Sequence, residues 1–502
     1  MLISLNYEGN SRRGEEHTFT AARRSSHPKS QPRPKSHQCG DNASKDLPQM
    51  ADTVPRVRAS SDSMISVEEA LRIIRDHTPA PVATDVKVTS SIIGSTIAED
   101  VHAPAMVPEF RSSGVDGYAV VVEEGKPMKK RFHTGYTTGG GSGGLAPLHP
   151  AAMVKVAAGD LLPSNANAVV SVENMRNHGC EKEHVEILTN DIVVGKNVRQ
   201  PGHFITLGSR LFARGDHISA ASGATGLLAL AGIRTIKVFR KPRVGILSIA
   251  NGIATHFEHN PDVGYLALAS VLSSWGFATV DLALTHNTPG GDLKHALLSS
   301  DVILIMNDAS PSRLDLKPTI DCLGGTFQFD CVSLKPGSET SFATVPANVA
   351  ERCPPGQSPK LVFSLPSEIQ SALVALHVFV LPSLHDLSGL GRTSHAAAAK
   401  PWIAPQLGLP RVAVVLTHQF PLDLKHTNYH LGVVTASRSD ARLYATSVSV
   451  GPVDGPGCWF NHGADVNALI ILRPGRGVGI KGEIVEALLM GPIPGSDTRL
   501  IC

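Results

Sequence analysis

No two cysteines in this chain of 502 residues are spaced C-x-x-C; the seven, at positions 39, 180, 322, 331, 353, 458 and 502, are scattered. That scatter excludes a disulfide framework and points to reduced thiols in a cytoplasmic protein. His256 and His259 flank Phe257 and Glu258 without further ligands nearby, so a surface loop is expected there rather than zinc. An excess of charge is also missing: 46 basic against 44 acidic residues leave +2, too little for general attraction to nucleic acid or a membrane surface. No uninterrupted apolar run reaches the length of a membrane span, and the first 60 residues lack the apolar core of a secretory signal. What remains, 42% apolar and 18% charged, is the composition of a globular chain long enough for several domains.

Residues 1–60 differ from the rest, with ten Lys/Arg, six Asp/Glu, many Ser and Pro, and only Tyr7 and Phe19 as aromatics. Such a stretch buries too little apolar surface to offset its ordering entropy, so a disordered basic arm or linker is expected. Arg12, Arg13, Arg23 and Arg24 would suit a transit peptide, but Glu8, Glu15 and Glu16 weigh against one. Residues 242–392 alternate buried strand and helix. The compact apolar runs 244–247, 302–305 and 361–363 fit parallel strands covered on both faces, with crossover helices at 266–275 and 293–298. In such a sheet ligands gather beyond the carboxyl ends of the strands. Residues 410–495 alternate apolar and polar positions between turns, as in a small β-barrel-like or sandwich domain. The run 138–144, T-G-G-G-S-G-G, has no following Lys or strand-to-helix frame and reads as a hairpin tip.

The most informative segment is 108–120, P-E-F-R-S-S-G-V-D-G-Y-A-V. Read locally, Phe110 and the run Tyr118, Ala119, Val120 are expected to be buried, and Asp116 sits between Gly114 and Gly117 in a tight loop. The segment closely resembles the F-R-x-S-x-x-D-G-Y-A-V signature of the molybdopterin molybdenumtransferases of MoeA type, a family that includes the E domain of gephyrin. The likeness runs over about residues 64–495. Residues 66–74 resemble the family's first helix, with Ser66 as N-cap, Glu69 completing a capping box, and Val67, Ala70, Leu71 and Ile74 on one apolar face. Residues 159–173 and 198–208 are similar to the family's T-G-A-P-x-P-x-G-A-D-A-V-V and V-R-x-x-G-x-D-I-x-x-G segments.

The resemblance implies a multidomain α/β fold: an elongated composite domain (64–117 plus 198–240) with an inserted β-rich domain (118–197), an open α/β domain of MogA-like type (242–392) and a small C-terminal β domain (410–495). It implies a homodimer whose substrates are adenylylated molybdopterin and molybdate, with Mg²⁺ assisting molybdenum insertion. The site residues carried over are Asp116 and Asp315 for molybdate or metal handling, and Arg199, Ser248, Asn251, Ser310 and Lys335 toward the anionic substrate. The main candidates also have purely structural uses: a turn-capping Asp116, a surface Arg199, a helix-starting Asp315 and a loop Lys335.

The chain departs from the family where an anion would be touched. At 248–253 the pattern S-T-G-[ND]-E-L becomes S-I-A-N-G-I, and at 306–315 all three glycines of S-G-G-x-S-x-G-x-x-D are replaced, with Asp308 added. At 335–343 the second Lys of K-P-G-K-P-x-x-F-A is Ser338, with Glu339 beside it; at 365–372 the Gly and Asn of L-P-G-N-P-x-S-A are Ser367 and Glu368. Phe204 stands where the family has Asp, Asn167 where it has another, and Ala157 and Ala158 replace threonines. A carboxylate about 4 Å from a phosphate opposes it by roughly 4 kcal/mol at an effective dielectric near 20. Losing three charge-assisted contacts removes about 5 to 9 kcal/mol, or roughly three to six powers of ten in affinity. The pattern therefore implies a diverged site, or else a non-catalytic gephyrin-like scaffold that dimerises and binds receptor cytoplasmic loops. For that second role Leu71 replaces an aromatic, losing about 0.5 to 1.5 kcal/mol of ring contact.

Overall fold

The computed structural model describes residues 64–123, 131–134, 147–150, 152–177, 184–248, 263–282, 289–307, 316–347, 358–390, 408–437, 440–448, 465–475 and 477–493. The chain divides into units Met1–Pro55 and Arg56–Cys502, and all described residues belong to the second. The expected arm at 1–60, the hairpin tip at 138–144 and the pair His256 and His259 lie outside the described residues.

A six-stranded sheet runs in the order Thr279–Asp281, Val244–Ser248, Val302–Asn307, Lys360–Pro366, Ser341–Val345, Thr326–Phe329. The first four strands are parallel, and the last two pairings are antiparallel, so that Ser341–Val345 alone runs against the other five. Val302, Ile303, Leu304 and Ile305 are all fully buried, as a strand covered on both faces requires. Val302 and Leu304 pack with Leu268, Leu272 and Phe363 in one core, while Ile303 and Ile305 pack with Leu293, Ala296, Leu316 and Ile320 in another. Helices Val263–Ser274 and Pro289–Ser299 thus contribute to opposite faces, as the period-2 alternation of the strand dictates. Gly245 is fixed by packing, because a Cβ there would lie 2.6 Å from Ser300 Oγ.

The helical stretch Ile369–Leu387, with a π-turn at Leu376–Val380, crosses the larger core. Among the described residues it is the one helix long and apolar enough to span a membrane, and 78% of it is buried within the protein. The helix Val67–His77 packs on the same core through Val67, Ala70 and Ile74, with Leu71 half-buried against it. Ser66 Oγ accepts the Glu69 N–H at 3.1 Å, as an N-cap should. The expected capping box is only half made, since the Glu69 carboxylate turns to Arg72 at 2.6 Å and 2.9 Å.

Near the C-terminus, Thr427–Ala436 pairs with Leu443–Ser447, that strand with Arg411–Leu416, then Ile484–Leu489, then Ala468–Leu472, which returns to Thr427–Ala436. The ring closes into a small barrel around Val414, Leu416, Phe420, Val434 and Ile470. A third sheet orders Ala168–Ser171, Gly117–Val120, Ala152–Val156, Arg131–Thr134, His184–Ile187 and Met175–Asn177. Three short antiparallel pairs tie chain on either side of this sheet's sequence: Ala83–Lys87 with Thr235–Phe239, Val101–His102 with Arg210–Phe212, and Ser112–Ser113 with Val198–Arg199.

Candidate functional site

Three motif segments, 108–120, 157–173 and 198–208, are far apart in sequence and meet at one turn. The strand Gly117–Val120 lies between Ala168–Ser171 and Ala152–Val156, and a Cβ at Gly117 would fall 2.0 Å from the Val170 carbonyl oxygen. Only glycine allows that approach. The Gly114 N–H donates to Asn197 O at 2.7 Å, and Gly159 N–H donates to Ser113 O at 2.8 Å. Ala119 and Val120 are buried as expected and Tyr118 is half-buried, but Phe110 is 61% exposed. Its neighbours explain the reversal: the backbone at Arg111 is held by Leu162, and the Arg111 guanidinium reaches Ala166 O at 3.1 Å and Ser164 O, which turns the preceding residue outward.

Asp116 is exposed at this turn. Its Oδ1 accepts the Ala158 N–H at 2.8 Å, and its carbonyl accepts the Val172 N–H at 3.1 Å. Arg199 is half-buried and arrives through the strand pairing with Ser112; Nη2 donates to Gly114 O at 3.3 Å, and the guanidinium lies 5.1 Å from the Phe204 ring centroid. The structure therefore brings Asp116 and Arg199 to the same turn. The Ala157 N–H donates to Asp160 Oδ2 at 2.7 Å, a carboxylate the motif reading missed. Asn167 clasps Val122 in both directions, accepting its N–H at 2.7 Å and donating to its carbonyl at 2.8 Å. An ionised Asp has no donor for the second bond.

Lys335 belongs to a second cluster. Leu334–Lys335 pairs in parallel with the barrel strand at Thr427 and Asn428, and Lys335 Nζ meets Asp423 Oδ2 at 2.9 Å. Asp423 also accepts from the Lys425 N–H at 2.8 Å and the His426 N–H and Nδ1, each at 2.9 Å. The Lys425 backbone bond, with Lys335 and the His426 contacts, holds this carboxyl well below the usual carboxylate range. Gly337 packs against the start of the helix Ile369–Ala375, where a Cβ would lie 3.3 Å from Ser371 O. Glu368 caps that helix: its carboxylate accepts the Ser371 N–H at 2.9 Å and the Ser371 hydroxyl. A helix start that would suit an external anion thus faces an internal one. The signal for this was a Glu one residue before an apolar helix.

Ser248 ends the strand Val244–Ser248, at the carboxyl edge of the parallel sheet. Asn251, Ser310 and Asp315 lie outside the described residues, as does Asp308. Among the described residues no group of three His, Cys, Asp or Glu side chains could hold a metal ion. Mg²⁺ needs less from the protein, since it keeps several waters and binds through one or two carboxylates and substrate phosphates. Asp116 is exposed, and among the described residues only its Oδ1 is engaged, which leaves Oδ2 as the oxygen that could meet such a demand.

Residues 65–232 match the model of the MoeA N-terminal region, domains I and II. Gephyrin from Dictyostelium discoideum is 27% identical over 478 residues, covering 87% of this chain, which spans 64% of that protein's length. Molybdopterin molybdenumtransferase from Bacillus subtilis is 25% identical over 446 residues, covering 86% of this chain and 96% of its own. A crystal structure of a molybdopterin biosynthesis MoeA protein from Pyrococcus horikosii superposes with a TM-score of 0.63 at 21% identity, over 86% of this chain and all of that one, so the two share a fold. The matched model covers the part of the chain that builds the 114–116 turn, and the fold extends the likeness beyond it. The chain is thus similar to MoeA-type proteins and to gephyrin, with the MoeA N-terminal region matched over residues 65–232.

Proposed function

We propose that this chain works in molybdenum cofactor biosynthesis as a molybdopterin molybdenumtransferase-type protein, inserting molybdate-derived molybdenum into adenylylated molybdopterin at a diverged site. The meeting of Asp116 and Arg199 at one turn carries this reading: an exposed carboxylate for Mg²⁺ or molybdate handling lies near a guanidinium suited to phosphate or molybdate oxygen. Lys335 supplies charge from the second cluster, with Ser248, Asn251, Ser310 and Asp315 on the loops that follow the parallel strands. We infer the layout of a composite domain at 64–117 plus 198–240, an insertion at 118–197, an α/β domain at 242–392 and a C-terminal β domain at 410–495. The three strand pairs across the insertion support the composite part. A cytoplasmic homodimer built on the composite and α/β domains completes the reading.

Calorimetric binding of adenylylated molybdopterin, with and without molybdate and Mg²⁺, tests it. Micromolar or tighter affinity is the expected result. No binding by a folded protein would favour the second reading, a non-catalytic gephyrin-like scaffold for receptor cytoplasmic loops. The Glu368 carboxylate at the helix start favours that alternative, because it occupies an anion position from within. Leu71 counts against receptor binding through the first helix, since it packs on the protein's own core.

A further inference from the structure

Phe204 is a large aromatic side chain left 56% exposed on a firmly held backbone. Its own N–H donates to Val107 O at 2.9 Å, the next N–H donates to the same oxygen at 3.1 Å, and Gly202 N–H donates to Pro108 O at 2.9 Å. Its exposure is thus part of a defined local geometry. The Arg199 guanidinium lies 5.1 Å from its ring centroid, and His203 meets it edge-on, with centroids 5.0 Å apart and planes at 72°. Phe110, on the segment that Gly202 grips, is 61% exposed as well. An Asp at position 204 would neutralise Arg199. Phe204 leaves the guanidinium its full charge and adds an accessible π-face.

We propose that Arg199 and Phe204, with His203 at the ring edge, form a stacking platform for the planar heteroaromatic ring of an anionic substrate. The ring lies on Phe204 while Arg199 attracts the attached phosphate or carboxylate. This rests on the proposed function, whose substrate carries two such rings, a pterin and an adenine; both offer the same flat, nitrogen-rich surface. Phe204 is then a specificity-determining residue, and the departure from Asp is a change in how the anion is gripped.

The test uses the full chain with pterin-6-carboxylate and AMP as separate probes, reading pterin fluorescence quenching and calorimetric affinity. Wild type is expected to bind at least one probe. Phe204→Ala is expected to weaken that probe about 5- to 100-fold, with Phe204→Tyr close to wild type. Pterin-6-carboxylate binding alone assigns the platform to the pterin end, AMP binding alone to the adenine end. Thermal unfolding of Phe204→Ala at the wild-type temperature excludes a folding defect. Unchanged affinity in Phe204→Ala, absence of probe binding by wild type, or a Phe204→Ala effect confined to oligomeric state would each overturn the platform. Molybdenum insertion is scored separately by restored cofactor synthesis in a deficient host, so loss of the platform and loss of the wider reading are distinguishable.

Discussion

Under the proposed function the 114–116 turn and the segments at Lys335 and Glu368 beside the α/β sheet would face the same demand, handling an anion, and the two regions are built in opposite ways. At the turn, Arg199 spends one donor on a backbone carbonyl and rests on an uncharged ring. At the sheet, Lys335 is paired with Asp423, and the helix start beyond Pro366 is filled by Glu368. The difference shows that a cation keeps its field where its neighbour is a π-face and loses much of it where its neighbour is a carboxylate. The turn is also the more constrained region, because three separated segments lock there through backbone bonds and a glycine with no room for a Cβ.

The largest effect is expected from breaking that lock. Gly117→Ala places a methyl 2.0 Å from Val170 O on the edge strand Ala168–Ser171, which cannot retreat without giving up its pairing with Gly117–Val120. Destabilisation of about 3 kcal/mol or more is expected, read from the denaturant midpoint. A variant of near-wild-type stability would mean that the turn is no more rigid than the loops.

A comparable effect, on the other side of the comparison, comes from acid. Burial, then the neighbouring His217 and Lys241, push His385 down to about 4, and the helix bearing it crosses the α/β core. The unfolded chain takes up this proton near pH 6.5 and the folded chain does not until about pH 4, so stability is present above 6.5 and falls as the pH drops through that window. The loss is about 3 kcal/mol by pH 4. His385→Asn, which can still accept the Gly408 N–H, should flatten the slope of unfolding free energy against pH. An unchanged slope would assign the acid sensitivity elsewhere.

Removing the cation sharpens the comparison at the level of binding. Arg199→Ala is expected to weaken adenylylated molybdopterin by about 10- to 100-fold, the value of one charge-assisted contact, in calorimetric titration. Lys335→Ala should cost less, because Asp423 already shares its charge. Equal losses would show that the internal ion pair opens when substrate arrives.

The fold was legible in sequence wherever pattern and burial coincide. The short all-apolar run 302–305 fitted a strand covered on both faces, and Val67, Ala70 and Ile74 marked the buried stripe of the first helix. Asp116 and Arg199 were singled out by motif order, but the turn they share appears only through the pairing of their segments. Other features depended on partners no local pattern specifies. Phe110 resembled its buried neighbours but is turned outward by Arg111, whose contacts lie more than 50 residues away. Asp423 is 88 residues from Lys335, and Asn167 looked like a lost acid until its two bonds to Val122 gave it a structural use.

The finest test asks whether the sheet loops can be returned toward the turn's solution. Glu368→Asn keeps a good N-cap, whose side-chain oxygen can still accept the Ser371 N–H, and removes the charge. Stability should therefore change by less than about 1 kcal/mol. Without the carboxylate, the positive end of the Ile369–Ala375 helix no longer faces a fixed internal anion, although Lys335 stays paired with Asp423, and AMP affinity should rise about tenfold. If affinity is unchanged, Glu368 is only a cap, and the weakness of this region as an anion site comes from its missing glycines, which keep the backbone N–H groups too far from any phosphate.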